Sequence, residues 1–239
     1  GRAAAHTFAS LGAKVVLVDR DGDGARAAAG AIQQKGGKAI SVAADVTKSA
    51  DVQAYVKAAL DAYGRIDAFH NNAGIEGTVT PIAEYDEALF AKIIDVNVMG
   101  VFLGLRHVLP VMIKQKAGAV VNTASIAGLV GSPNMSAYVA SKHAVIGLTR
   151  SAAAEWASHG VRINTVNPGP IESRMMRSIE GGVSPAGAQK AHEQFAQLIP
   201  AGRYGTPEEV ARLVAFLGSD DAAYLNGSVY VVDGGMHAV

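Results

Sequence analysis

Short, nearly continuous apolar runs rich in β-branched residues alternate with longer stretches of helical spacing along almost the whole chain. The runs fall at 14–18, 39–43, 67–71, 119–123, 161–166 and 228–232, and their pattern predicts strands buried on both faces. Between them, 49–63 places Val52, Val56 and Leu60 on one helical stripe, with Gly64 where a helix C-cap belongs. Thr206-Pro207-Glu208-Glu209 predicts a capping box with proline at the first helical position. Val210, Leu213, Val214 and Leu217 follow as that helix's buried face, and Gly218 ends it. Six such strands separated by helices predict an α/β fold: one doubly wound domain, its parallel sheet covered by helices on both faces. Sheets of this kind bind ligands beyond the carboxyl ends of their strands.

Two places break the rhythm. The chain opens inside a helical pattern, with Ala3, Ala4, Phe8 and Leu11 leading to Gly12 and no strand before them. In a doubly wound sheet the first strand is central, and the turn after it carries glycines that receive phosphate groups. Gly1 stands where the last of those glycines belongs. A sheet lacking that strand has two unpaired edges, so residues before Gly1 are expected in the physical protein. The second break is 173–203, which holds two methionines, Gly181-Gly182, Pro185 and Pro200 between a strand and the last helix. An insert of this length at a strand's carboxyl end is expected to form a lid over the site.

Composition narrows the function. Of 239 residues 49% are apolar, enough for one sizeable core, and 21 basic side chains balance 21 acidic ones. That balance argues against nucleic acid or an anionic membrane surface as partner, since both call for a basic excess. With no cysteine there is no disulfide, thiolate metal site or redox dithiol. The uncharged stretch 117–141 carries Asn122, Thr123, Ser125, Ser132, Pro133 and Asn134 and is too polar for lipid. Gly1-Arg2-Ala3 opens no apolar signal-peptide core, so a soluble, cytoplasmic protein is expected. The seven histidines form no i, i+4 pair, and no bound metal is expected.

Candidate chemistry centres on Ser125, Tyr138 and Lys142. Tyr138 and Lys142 lie four apart on a helical pattern and share a face. A tyrosine with pKa near 10 is a poor base at neutral pH, and an adjacent ammonium favours its phenolate. Ser125 lies just past the strand that ends at Thr123, where its hydroxyl can hold a substrate oxygen beside the phenol. A Y-x-x-x-K pair alone is weak evidence, but its neighbours add weight. Asn71-Asn72-Ala73-Gly74 follows one strand, Asn97 sits in a helix, Pro168-Gly169 follows another strand, and Val232-Asp233-Gly234-Gly235 ends the last. In this order and spacing the chain resembles the short-chain dehydrogenase/reductase family throughout, apart from the first strand and the leading part of its glycine motif.

That resemblance implies a seven-stranded Rossmann sheet, six strands of which are visible here. Tyr138 would be the general acid/base, and Ser125 would polarise the carbonyl or alcohol oxygen. Lys142 would bind the nicotinamide ribose and lower the tyrosine pKa, and Asn97 would hold a water linking Lys142 to solvent. Gly1 would meet the pyrophosphate. Asp19, at the end of its strand, would accept the adenosine ribose diol and repel a 2′-phosphate, which selects NAD over NADP; Arg20 next to it stands where a base meets the NADP phosphate in some relatives, and could equally stack on adenine or face water. Asp45 and Val46 would bracket the adenine. Asn71, Ala73 and Gly74 would line the ribose and pyrophosphate path, with Asn72 tying adjacent strands. Pro168, Gly169 and Ile171 would contact the nicotinamide end, and Ser173 would bond its carboxamide where the family more often has threonine.

The implied reaction is reversible interconversion of a secondary alcohol and a ketone, with an NADPH-dependent 3-oxoacyl-thioester reductase and a non-catalytic dinucleotide-binding sensor or scaffold as alternatives. Met135, Met175, Met176 and Ile179 would give the substrate crevice an apolar, adaptable lining. No arginine pair stands out to grip an anionic substrate; Arg174 is a lone candidate. The patterns at 86–115, which carries Leu105 and Val108, and at 136–159 resemble helices that pair in homotetramers of the family. Trp156 reads as a packing or subunit-contact residue.

Overall fold

The computed structural model describes residues 1–184 and 187–238. Pro185, within the insert, lies outside the described residues. Six strands are present among them, all paired in parallel. Strand β1 (Lys14–Asp19) pairs with β2 (Lys38–Ala43) from Lys14↔Lys38 to Asp19↔Ala43. Strands β3 (Ala68–Asn71), β4 (Gly118–Thr123), β5 (Val161–Pro168) and β6 (Val229–Val232) form a second sheet in that order. Pairing stops between β1 and β3, so the described strands make two sheets where the alternation alone predicts one.

Local caps set the ends of several helices. Helix α1 (Arg2–Ser10) starts at Gly1, which supplies no side-chain cap. Asp21 caps α2 (Gly22–Gln34) by accepting from Gly24 N–H, and α3 (Ser49–Tyr63) stops at left-handed Gly64, where φ is 78°. The stretch predicted as one long helix is α4 (Glu87–Ile94) and α5 (Gly100–Gln115) joined by a π-helical turn at Asp95–Met99. Helix α6 runs Ser136–Trp156, and the capping box predicted at Thr206 opens α9 (Pro207–Leu217).

The double-sided burial of β4 explains its unbroken apolar run. Val120 packs into a core with Val52, Val108, Met112, Val145 and Ile163, contributed by α3, α5, α6 and β5. Its neighbour Val121 faces the other way, to Ala4, Val166, Val214 and Leu217. Leu105 and Val108, expected at a subunit contact, are instead buried in this chain's own core. The exposed apolar side chains on the same helical stretch are Phe90, Met99 and Phe102. By length and composition Glu87–Gln115 is apolar enough to cross a bilayer, although Lys92, Asp95, Arg106 and Lys114 break it into shorter uncharged runs. In the fold it packs against α3 and β3 as a core helix.

The insert is largely helical. Helix α7 (Arg174–Val183) is capped by Ser173, and α8 (Ala188–Gln197) packs against it. Buried Glu180 on α7 accepts hydrogen bonds from Tyr204 Oη at 2.8 Å and from His192 Nδ1 on α8 at 3.1 Å, which ties the two helices to the chain that follows.

Candidate active site

Three strand ends and one helix bring the predicted groups together. Ser125 follows β4 and begins a 3-10 turn, with its Oγ accepting from Ala127 N–H at 3.2 Å. The same hydroxyl donates to the Pro168 carbonyl at the end of β5, 3.3 Å away, and Asn167 Nδ2 donates to the Ser125 carbonyl at 2.9 Å. Both ends of Ser125 are thus held by β5. Tyr138 and Lys142 lie one turn apart on α6 and are both buried. Lys142 Nζ donates to the Thr123 carbonyl at 2.9 Å and stands 5.5 Å from the centroid of the Tyr138 ring.

The electrostatics correct one expectation. Burial pushes the Tyr138 phenol up to about 12, against a smaller downward effect of the hydrogen bond from Ser125, and Glu76 raises it further. The expected lowering by Lys142 does not prevail, because burial dominates and also pulls the lysine itself down to about 8. In this state the phenol keeps its proton at neutral pH.

Asn97 is fully buried in the π-helical turn. Its Oδ1 accepts from Ile75 N–H at 2.8 Å, and its Nδ2 donates to Ile75 C=O at 2.9 Å and Ser141 Oγ at 3.0 Å. A Cβ added at Gly74 would stand 3.2 Å from Asn97 Oδ1 and 3.6 Å from Lys142 Nζ, so glycine keeps the space between them open.

The residues expected to meet a dinucleotide fall along the strands' carboxyl ends. Gly1 lies beside both Asn72, after β3, and Asp19, at the end of β1. Asp19 Oδ1 accepts from Asp21 N–H at 2.9 Å, which leaves Oδ2 for a ligand hydroxyl. Asp45 Oδ1 is taken by the N–H and hydroxyl of Thr47, at 3.0 and 2.8 Å. Val46 is pinned against Gly100 at the start of α5. Ala73 is exposed beside Gly74. Pro168 ends β5, Gly169 N–H bonds Val232 C=O at 3.1 Å, and Ile171 bridges to Gly205. Ser173 Oγ accepts from Met176 N–H at 3.2 Å, and its O–H is left to donate.

Asn71 departs from its expected role: its side chain is buried and donates to Val101 C=O at 3.0 Å, so it fastens β3 to α5 and turns away from the crevice. Asn72 ties strands as expected, accepting from Thr123 Oγ1 at 3.2 Å.

The residues fit a dinucleotide. The first N–H groups of a helix such as α1 have no partner within the helix, and a helix N-terminus suits a pyrophosphate. Lys142 uses one N–H on Thr123 among the described residues, which leaves donors for ribose hydroxyls.

On the substrate side, Met175 Sδ lies 3.9 Å from Tyr138 Oη, so α7 covers the phenol. Met135 and Met176 are half-buried, and Ile179 is buried on α7. The structure also finds what spacing did not. Arg20 and Arg174, far apart in sequence, line one cavity of about 350 Å³ with Ile75, Glu76, Gly77 and Ser178. The fold thus brings Arg20, just past β1, and Arg174, on α7, to the rim of one open depression that also holds Glu76. Glu76 and the Thr123 carbonyl carried no sequence signal, since neither belongs to a spaced motif.

Comparison with known proteins agrees with this fold. The family described as enoyl-(acyl carrier protein) reductase matches residues 1–237. Levodione reductase from Leifsonia aquatica is 45% identical over 240 residues, spanning 100% of this chain and 90% of that protein. Cyclohexanol dehydrogenase from Acinetobacter sp. (strain SE19) is 41% identical, over 98% of this chain and 89% of that one. The crystal structure of levodione reductase superposes with a TM-score of 0.98 at 44% identity, covering 100% of this chain and 93% of that one. That of NAD+-bound xylitol dehydrogenase gives 0.93 at 34%, covering 98% and 94%. The fold and site define a Rossmann-type oxidoreductase. The chain belongs to the short-chain dehydrogenase/reductase family.

Proposed function

We propose that this protein is an NAD(H)-dependent enzyme that interconverts a secondary alcohol and its ketone. The observation that carries the reading is the convergence of Ser125, Tyr138 and Lys142 in one buried corner at the strands' carboxyl ends. The nicotinamide, when bound, supplies or accepts the hydride. Ser125 O–H and Tyr138 O–H both donate to the substrate oxygen and polarise the carbonyl, so no metal is needed. In ketone reduction the protonated phenol gives its proton to that oxygen as the carbinol C–H bond forms. In alcohol oxidation Tyr138 Oη takes the hydroxyl proton as a phenolate, a form that differs from its resting state at neutral pH and that the Lys142 charge favours. Lys142 holds ribose hydroxyls and places positive charge beside the phenolate, and Asn97 supports the open space at Gly74 through which a water can reach Lys142.

The levodione and cyclohexanol enzymes name cyclic substrates, and methionines 135, 175 and 176 give this chain an adaptable apolar wall. A cyclic or aliphatic secondary alcohol is the substrate class. Asp19 favours NAD, and the NAD+-bound xylitol dehydrogenase is consistent with it. The cavity shared by Arg20 and Arg174 is the one feature that supports the second reading, an NADPH-dependent 3-oxoacyl-thioester reductase. A cytoplasmic homotetramer completes the proposal, with exposed Phe90, Met99 and Phe102 supplying the apolar contact surface.

Thermal unfolding with NAD+, with NADP+ and with neither tests it. A ligand at a hundredfold over its Kd adds about 2.7 kcal/mol, or roughly 5–10 °C for a chain of this size. The expected result is a rise with NAD+ well above that with NADP+. A larger rise with NADP+ supports the thioester reductase, and no rise with either contradicts both.

A further inference from the structure

One polar side chain beneath Lys142 takes part in no step above. His70 lies on β3, and its Nε2 is 2.9 Å from Thr123 Oγ1. Thr123 Oγ1 donates to Asn72 Oδ1 at 3.2 Å. An amide oxygen has no proton to give, so the threonine proton is committed to Asn72. Oγ1 therefore accepts from the imidazole, and His70 carries its proton on Nε2. Burial pushes the ring down to about 3, which keeps it neutral throughout the working pH range.

Thr123 needs this grip. The β3·β4 ladder ends at Asn71↔Asn122, one residue short of it, although β5 still pairs with it through Val166. On the β3 side Thr123 is held by the side chains of His70 and Asn72. Its main-chain carbonyl accepts the 2.9 Å bond from Lys142 Nζ. One residue thus receives a side-chain restraint from β3 and passes it, through its backbone, to the ammonium beside Tyr138.

We propose that His70 is a positioning residue, which by donating to the Thr123 hydroxyl fixes the carbonyl that aims Lys142. The proposal rests on the role given to Lys142 above. The other titratable groups facing this corner are Tyr138 on α6 and Glu76 after β3, and the variants below alter neither of them.

His70→Phe keeps an aromatic ring and removes the donor; His70→Gln places an amide N–H near the position of Nε2. Two readouts are needed: the pH profile of cyclohexanol oxidation with NAD+, and NADH affinity by fluorescence titration. His70→Phe should displace the midpoint of the profile by about half a pH unit or more and weaken NADH binding several-fold, and His70→Gln should restore both. A His70→Phe protein that melts earlier but keeps both the wild-type midpoint and the wild-type NADH affinity overturns the proposal. If His70→Phe does not fold, Thr123→Val carries the same comparison, and an unmoved midpoint and affinity there overturn it equally. Failure of the underlying reading shows separately, as a Lys142→Met enzyme whose pH profile matches wild type.

Discussion

Lys142 shows how burial and charge compete at a single residue. Its ordinary pKa near 10.5 falls to about 8 in the fold because its ammonium is stripped of water. Between these values the unfolded chain binds a proton that the folded chain has released, so Lys142 favours the folded state increasingly from pH 8 to 10.5. Tyr138 has the opposite sign: raised to about 12, it contributes stability below pH 10 that is lost as pH rises through 12. Replacing Lys142 by methionine removes the first effect alone. In urea titrations the wild type should gain about 2 kcal/mol on Lys142→Met between pH 7.5 and 10; a gap that stays constant contradicts the assignment. A helical i, i+4 pair and a residue just past a strand fixed the placement of Ser125, Tyr138 and Lys142, while their reading as one set came from the resemblance that the surrounding motifs carry. The rest of the corner was not legible in the sequence. Glu76, the Thr123 carbonyl and the inward turn of Asn71 depend on which way a strand end faces, and no spacing encodes that.

At the scale of elements, periodicity and caps told most of the story. The predicted helix starting at Thr206 has both halves of its capping box, with Thr206 Oγ1 accepting from Glu209 N–H at 3.2 Å and Glu209 Oε2 from Thr206 N–H at 2.8 Å. Thr206→Ala should therefore cost about 1 kcal/mol, read as a lower denaturant midpoint at unchanged slope. A change within experimental error would mean that tertiary packing alone holds α9. The π-helical turn at Asp95–Met99 escaped prediction, because a single widened turn leaves the apolar spacing of its neighbours intact. It is also where Asn97 is turned onto Ile75 and Ser141. Helix α7 of the insert brings Met175 Sδ within 3.9 Å of the phenol, and only the fold places Arg174 beside the same depression as Arg20. If that pair serves the cofactor's phosphates, Arg174→Gln should weaken NAD+ binding several-fold and reduce its salt dependence, as calorimetric titration at two ionic strengths would measure. Equal affinities at both strengths would leave Arg174 out of cofactor binding.

For the whole molecule, the alternation of strands and helices predicted the parallel, two-sided architecture. The two unpaired edges expected of a sheet without its first strand are those of β1 and β3, where pairing stops. Assembly was read less well, since Leu105 and Val108 proved to be core residues: apolar character on a long helix does not say which face meets the chain's own sheet. Phe90, Met99 and Phe102 are the side chains left facing out. Light scattering should report a tetramer, and Phe102→Glu should shift it toward smaller species; a wild-type monomer contradicts the assembly. The central claim, that Tyr138 moves the substrate's proton in an NAD-linked reaction, is tested most directly by Tyr138→Phe. Turnover of cyclohexanol with NAD+ should fall by roughly 10²–10⁴-fold while NADH affinity stays near wild type. Turnover within a few-fold of wild type would remove Tyr138 from the chemistry, and the proposed mechanism with it.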